Sequence, residues 1–296
     1  MECEQQFDTG SVRINYAEFA ALPEASPRYP IVLLHGGSAR WQAAMSIIPA
    51  LTRYGPVYAP DFRGHGQSGR VPGCYTLRDY TGDIITFLEQ VVRAPSVLFG
   101  HSLGGQVALM TAAARPDLVR ALISGDAPFD LARFRPQLGA ARERLLYWRD
   151  LAGGRLSREE IVEAMRRTPI EMKGRTEPVP AHTIFPDNAP YYYFMADNLY
   201  QLDPDQLTAV VEFEAMHAGL DYHVLFPQIT CPVLLLQADP ALGGMADEEV
   251  ADGLALLADG RVVCMEGVGH PLHTTDPAPV LAAMTGFLDE VLPPAG

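Results

Sequence analysis

Apolar residues are spaced along the chain in two rhythms. Short continuous runs occur at Ile31-Val32-Leu33-Leu34, Val57-Tyr58-Ala59, Ser96 to Phe99, Ala121 to Ser124, Val233 to Gln237 and Val262 to Met265. Their length and β-branched content fit strands buried on both faces of a parallel sheet. Between the runs the apolar spacing becomes helical. Leu77, Tyr80, Ile84, Ile85, Leu88, Val91 and Val92 recur at a period of about 3.6, which predicts an amphipathic helix over Thr76 to Val92. Helical spacing also covers Trp41 to Leu51, Leu103 to Ala114 (stopped by Arg115-Pro116), part of Met245 to Leu257, and Ala278 to Leu292. Val12 to Phe19 alternates and predicts one half of an N-terminal hairpin. From Phe129 to Phe226 the strand–helix alternation stops; the spacing is helical, prolines are frequent and no run reads as a buried strand. The expectation is an α/β fold with a mostly parallel central sheet and helices on both faces. Residues 1–128 and 229–296 would form its core, and 129–228 a helical cap over the carboxyl ends of the strands.

Composition narrows the partners. Across 296 residues, 48% are hydrophobic and 20% charged, enough for a sizeable core. A formal net charge of −14 repels phosphate backbones and anionic lipid, which argues against nucleic-acid or membrane binding. No apolar stretch reaches the ~18 residues of a membrane span. The first residues, MECEQQFDTGS, lack the basic and apolar regions of a secretory signal. Cys3, Cys74, Cys231 and Cys264 lie far apart, which suits a reducing cytoplasm better than a disulfide framework or a zinc site. The oligomeric state, a homo-oligomer included, stays open.

The chemistry-bearing residues gather at strand ends. Gly64-His65-Gly66-Gln67-Ser68-Gly69 has the spacing of a dinucleotide fingerprint, but Arg70-Val71-Pro72-Gly73 continues a loop where that fingerprint needs a helix. No cofactor is expected. Gly100-His101-Ser102-Leu103-Gly104 does stand between a strand and a helix, the setting of a nucleophile elbow. Small residues two before and two after the serine let strand and helix approach, and the helix start aims N–H groups at a reacting carbonyl. Ser102 is the expected nucleophile.

A serine needs a base. Of eight histidines, His270 follows the last strand in Glu266-Gly267-Val268-Gly269-His270 and is the expected partner, with His273 the competitor. His101 adjoins Ser102 but its side chain should point away, in a structural role. His35 and His65 sit in glycine-rich loops and should bond locally; His182, His217 and His223 fall in the cap. His270-x-x-His273 has no third ligand at metal spacing, so no metal is expected. The orienting carboxylate is expected to be Asp239, at the end of Val233 to Gln237. Asp126, ending the preceding core strand, is the alternative, and Asp276 reads as a helix cap before Pro277. Oxyanion donors would be the N–H groups of Leu103 and of Gly37, with Ser38 next, since glycine lets backbone come close to a tetrahedral intermediate.

With these residues in place the chain resembles the α/β-hydrolase fold superfamily, in its lidded serine esterase, epoxide-hydrolase and C–C-hydrolase-like branch. The resemblance rests on Leu34-His35-Gly36-Gly37, Asp61 to Ser68, Gly100 to Gly105, Cys231 to Asp239 and Gly269-His270, in order across the whole core. It implies an inserted helical cap. Epoxide hydrolases and haloalkane dehalogenases of that fold place aspartate at the elbow, so a serine there implies acyl chemistry. The expected activity is a carboxylesterase-like hydrolysis of a small apolar ester. A C–C or lactone hydrolase with the same triad, or a slow-turnover ligand receptor, stays open beside it. Trp148, Tyr191, Tyr192 and Phe194 are the cap aromatics expected either to wall an apolar pocket or to pack the cap.

Overall fold

The computed structural model describes residues 3–23, 29–170, 179–184 and 189–292. Its centre is an eight-stranded sheet. The strands are β1 (Cys3–Asp8), β2 (Arg13–Phe19), β3 (Ile31–Leu34), β4 (Val57–Pro60), β5 (Ser96–His101), β6 (Val119–Gly125), β9 (Val233–Ala238) and β10 (Gly260–Met265). Two short strands, β7 (Pro169–Ile170) and β8 (Val179–Pro180), pair separately within the inserted segment. The order across the main sheet is β1-β2-β4-β3-β5-β6-β9-β10. The β1–β2 and β2–β4 pairs are antiparallel; every pair from β4 to β10 is parallel.

Burial follows the two-residue period of a strand. Leu34, Leu98, Leu122 and Leu235 enter one buried cluster with Phe87, Val107 and Phe226. Leu33, Val97, Phe99, Ile123, Leu234 and Leu236 enter the other, with Trp41, Met284 and Leu288. That two-sided demand is why these segments read as unbroken apolar runs. β10, at the edge, is the exception: Val262, Val263 and Cys264 are exposed and only Met265 is buried.

Helices cover both faces. Thr76 caps Leu77–Phe87 through a reciprocal box with Asp79, and the helix then widens into a π-helical turn over Leu88–Val92. Trp41 to Leu51 is not one helix. It is a 3₁₀ turn, Trp41–Ala44, followed by the single turn Ile48–Leu51, because Pro49 has no N–H to donate back across the junction. The closing helix, Pro277–Val291, is capped by Asp276 as its Asp-Pro start implies.

The inserted segment leaves the core after β6, where the buried carboxylate of Glu249 accepts the N–H groups of Phe129 (2.9 Å) and Asp130 (3.0 Å). Helices Leu131–Leu151, Arg158–Arg166, Ala189–Gln201 and Pro204–Val211 enclose their own cluster of Leu145, Ile161, Met165, Leu199 and Leu207. Met216, Leu220, Tyr222 and Phe226, further along, pack into the core cluster beneath Leu103–Ala114. Asp203 joins the inserted segment to the core: its N–H donates to the Gly64 carbonyl (2.7 Å) and its carboxylate accepts the Tyr75 hydroxyl (2.6 Å). The Gly64–Gly69 loop therefore serves as a landing surface, itself held by the buried carboxylate of Asp61, which accepts Gln67 N–H (3.1 Å) and Trp41 N–H (2.8 Å). Among the described residues no helix is long and apolar enough to cross a membrane.

Candidate active site

Ser102 stands at the turn from β5 into the Leu103–Ala114 helix, with φ 51° and ψ −118°. L-residues rarely adopt that backbone. It persists because the surroundings fix it. Ser102 N–H donates to Gly125 O (2.8 Å), and Ser102 O accepts Gly105 N–H (2.9 Å) and Gln106 N–H (3.0 Å). A Cβ at Gly104 would overlap the Leu34 carbonyl, and one at Gly100 would overlap the Gly104 carbonyl. The two glycines are what allow strand and helix to close on each other.

His270 meets the serine. Its Nε2 lies 3.1 Å from Ser102 Oγ, and its Nδ1 lies 2.6 Å from Oδ2 of Asp126. A carboxylate accepts, so the Nδ1 proton points at Asp126 and Nε2 keeps its lone pair toward the hydroxyl. Asp126 is 1% exposed, and its other oxygen accepts Ala238 N–H (3.1 Å) and Met245 N–H (3.0 Å). The buried carboxylate is thus satisfied on both oxygens.

The carboxylate beside His270 is Asp126, which corrects the expectation of Asp239. Asp239 accepts Ala241 N–H and Gly267 N–H, each at 2.8 Å, and those two bonds hold its carboxyl below the usual range. It closes its own turn and ties down the loop that carries His270. The reason lies in sheet order: β6 is the immediate neighbour of β5, with His101 opposite Gly125, so the residue after Gly125 arrives beside the elbow. β9 is one strand further away. Asp126 and Asp239 each directly follow a core strand, so the sequence leaves the two equivalent; in the structure Asp126 sits at its strand end with φ 41°.

The other histidines are occupied elsewhere. His273 is 2% exposed, stacks edge-on against Phe99 and His101, and is pushed down to about 4 by burial. His35 bonds Gly36 O through Nδ1 and accepts Phe62 N–H at Nε2 (3.0 Å). His65 bonds Arg63 O (2.9 Å), and burial lowers it to about 4. His182 and His217 bond backbone carbonyls within the cap segment, and His223 stacks on Tyr222. His101 turns away from Ser102, and its Nε2 reaches His270 O at 2.7 Å.

Gly37 lies over the start of the elbow helix; a Cβ there would sit 4.0 Å from Leu103 Cβ. Leu103 is the first residue of that helix, so its N–H has no acceptor one turn earlier. Of the cap aromatics, Tyr192 is 2% exposed inside the cap cluster, and Trp148 and Phe194 pack against the same cluster. Tyr191 is 40% exposed. These positions favour cap packing over a pocket wall for Tyr192, Trp148 and Phe194. Among the described residues no group of three His, Cys, Asp or Glu side chains is placed to hold a metal.

The chain is similar along nearly its whole length to 2-(acetamidomethylene)succinate hydrolase of Mesorhizobium japonicum, at 26% identity over 290 residues, 96% of this chain and 95% of that one. Among solved structures, E-2-(acetamidomethylene)succinate hydrolase superposes with a TM-score of 0.74 at 21% identity, covering 98% of this chain and all of the other. The enol-lactonase of Burkholderia xenovorans superposes at 0.70 with 17% identity, over 96% of this chain and 100% of its own. These two likenesses establish a common fold. The sequence model for the alpha/beta hydrolase family matches residues 31–283, from β3 into the closing helix, and the chain belongs to that family.

Proposed function

We propose that the chain is a serine hydrolase that cleaves a carboxylic ester of a small apolar molecule through an acyl-enzyme on Ser102. The observation that carries this reading is the unbroken line from Ser102 Oγ to His270 to Asp126, at 3.1 Å and 2.6 Å. In the reaction His270 Nε2 takes the hydroxyl proton as Oγ bonds to the substrate carbonyl carbon. Asp126 holds the Nδ1–H and stabilises the imidazolium that forms. N–H groups of Leu103 and Gly37 receive the oxyanion. His270 then returns the proton to the leaving alcohol, and the acyl–Ser102 ester remains. Water enters, His270 takes its proton, and the acid departs as Ser102 regains its hydrogen. Both half-reactions transfer only protons and an acyl group, so no step calls for an electron carrier. Serine at the elbow, where the family resemblance puts aspartate in epoxide hydrolases, supports acyl chemistry over epoxide opening.

A second reading has its own support. The relative from Mesorhizobium japonicum, matched over 96% of this chain, is named for 2-(acetamidomethylene)succinate, an amide of an unsaturated dicarboxylic acid. The same Ser102–His270–Asp126 line would serve an amide of that type. One experiment covers both readings. The protein is treated with a fluorophosphonate probe and assayed on p-nitrophenyl esters and on 2-(acetamidomethylene)succinate, beside Ser102→Ala. We expect labelling and turnover by the wild type and neither by the variant. A wild type that is not labelled, or a Ser102→Ala protein labelled as well as the wild type, would overturn the serine-hydrolase reading. Turnover of the succinate with none of the esters would favour the second reading.

A further inference from the structure

The side chain of His101 has a partner that the Ser102–His270–Asp126 line does not include. Its Nε2 lies 2.7 Å from the main-chain oxygen of His270. A carbonyl oxygen only accepts, so the ring proton sits on Nε2 and is donated to it. The two rings lie 4.9 Å apart, and the His273 ring is 5.4 Å from His101 on another side. The remaining nitrogen, Nδ1, faces the loop after β3: a Cβ on Gly36 would come within 2.8 Å of it. One imidazole thus lies between the Gly36 backbone and the His270 backbone, on the residue that directly precedes Ser102.

His270 needs such a support. It stands on the loop after β10, the edge strand with exposed Val262 and Val263, and its own side chain is 41% exposed. Asp239 secures the start of that loop at Gly267, and Leu272 N–H closes back on Gly269 O (3.1 Å). Between these two points the His101 bond fixes the His270 carbonyl, and with it the direction in which the His270 Cβ leaves the backbone.

We propose that His101 is a positioning residue for the base: its Nε2–H grips the His270 carbonyl and sets the imidazole in line with Ser102 Oγ, so that nucleophile and base are spaced by two adjacent residues of one strand end. This rests on the reading of Ser102 and His270 as nucleophile and base. The surroundings suit the role. Burial, followed by the proximity of His270 and His273, holds His101 well below the usual histidine range, so it stays neutral while His270 becomes an imidazolium in the reaction. A cation at that place would oppose the charge that the base must take up.

The test compares His101→Gln, whose amide N–H can reach the same carbonyl, with His101→Asn, which carries the same amide too far back, and His101→Leu, which fills the space without a donor. Ester kcat and KM are measured with the low-field proton NMR resonance of the His270 Nδ1–H. We expect Asn and Leu to lower kcat about 10- to 100-fold with KM nearly unchanged, the loss typical of a reacting group displaced by about 1 Å. Their low-field resonance should shift or broaden. Gln should restore both. Wild-type kcat and resonance in Asn, or a Gln variant as impaired as Asn, overturns the proposal; if Leu does not fold, the Asn–Gln pair decides. A wild type inert to the fluorophosphonate probe and to the substrates overturns the serine-hydrolase reading instead. The resonance still reports whether His101 sets the His270–Asp126 bond.

Discussion

Asp126 and Asp239 do different work with the same functional group. Asp126 is buried, spends one oxygen on two backbone N–H groups and offers the other to His270. Asp239 spends both oxygens on its own turn and on Gly267. Asp126→Asn would keep the shape but would favour the wrong imidazole tautomer, and kcat should fall about 10³- to 10⁴-fold with little change in KM. Asp239→Asn should keep kcat near wild type and lower the melting temperature, through a looser His270 loop. Steady-state kinetics on both variants, with thermal melts, check the pair; equal losses of kcat would contradict the assignment. Ser102 and His270, which the structure brings to 3.1 Å, are each marked in the sequence by local chemistry: small residues around one, a glycine-bounded strand end before the other. The acid is not. Two aspartates follow two core strands, and only lateral sheet order, which pattern along the chain does not encode, decides which of them reaches His270.

Strands were more legible than helices for a physical reason. β3, β5, β6 and β9 are covered on both faces, so nearly every residue must be apolar, and the run announces itself. Trp41 to Leu51 has helical apolar spacing because Trp41, Ala44, Ile47, Ile48 and Leu51 all face one cluster, yet the backbone there is two separate turns around Pro49. Burial pattern alone did not distinguish them. The Pro204–Val211 helix shows how a single residue joins cap to core. Asp203 caps it by accepting Asp205 N–H (3.0 Å) and also accepts the buried Tyr75 hydroxyl. Asp203→Ala removes the cap and takes an acceptor from Tyr75, and should cost about 2–3 kcal/mol. Urea unfolding would show this as a lower midpoint at an unchanged m-value. A midpoint equal to wild type would mean that the cap is held by other contacts.

Across the whole molecule, buried histidines dominate the response to acid. His65 and His273 are each lowered to about 4 by burial, and His35 and His101 are lowered well below the ordinary value. A group whose folded pKa lies below its unfolded value of about 6.5 stabilises the fold fully above pH 6.5, and this is lost as pH falls toward 4. For His65 and His273 the loss is about 3 kcal/mol each over that window. Asp61 runs the other way: burial raises it to about 6, so its ionisation costs stability as pH climbs through the same range and offsets about 3 kcal/mol. Glu249, also raised by burial, acts with Asp61, but the lowered histidines outnumber the two, so the melting temperature should drop on acidification from pH 7 to 4.5, and His273→Phe should make the drop shallower. Calorimetry across that range checks both; a melting temperature flat with pH would contradict the balance. The break in alternation at Phe129 falls where the inserted helices begin, but the pattern does not mark where core packing resumes. Met216 to Phe226 carry helix-like spacing in either setting, and only their contacts assign them to the core. Strands β6 and β9 pair directly, Leu122 opposite Val233 through Gly125 opposite Leu236, although the whole cap lies between them in the chain. On a ribosome, β6 must therefore wait with its outer edge open until the cap has been made and β9 emerges. Ser102 and Asp126 are translated before that wait and His270 after it, so the three side chains come within hydrogen-bond distance only when the sheet is nearly whole.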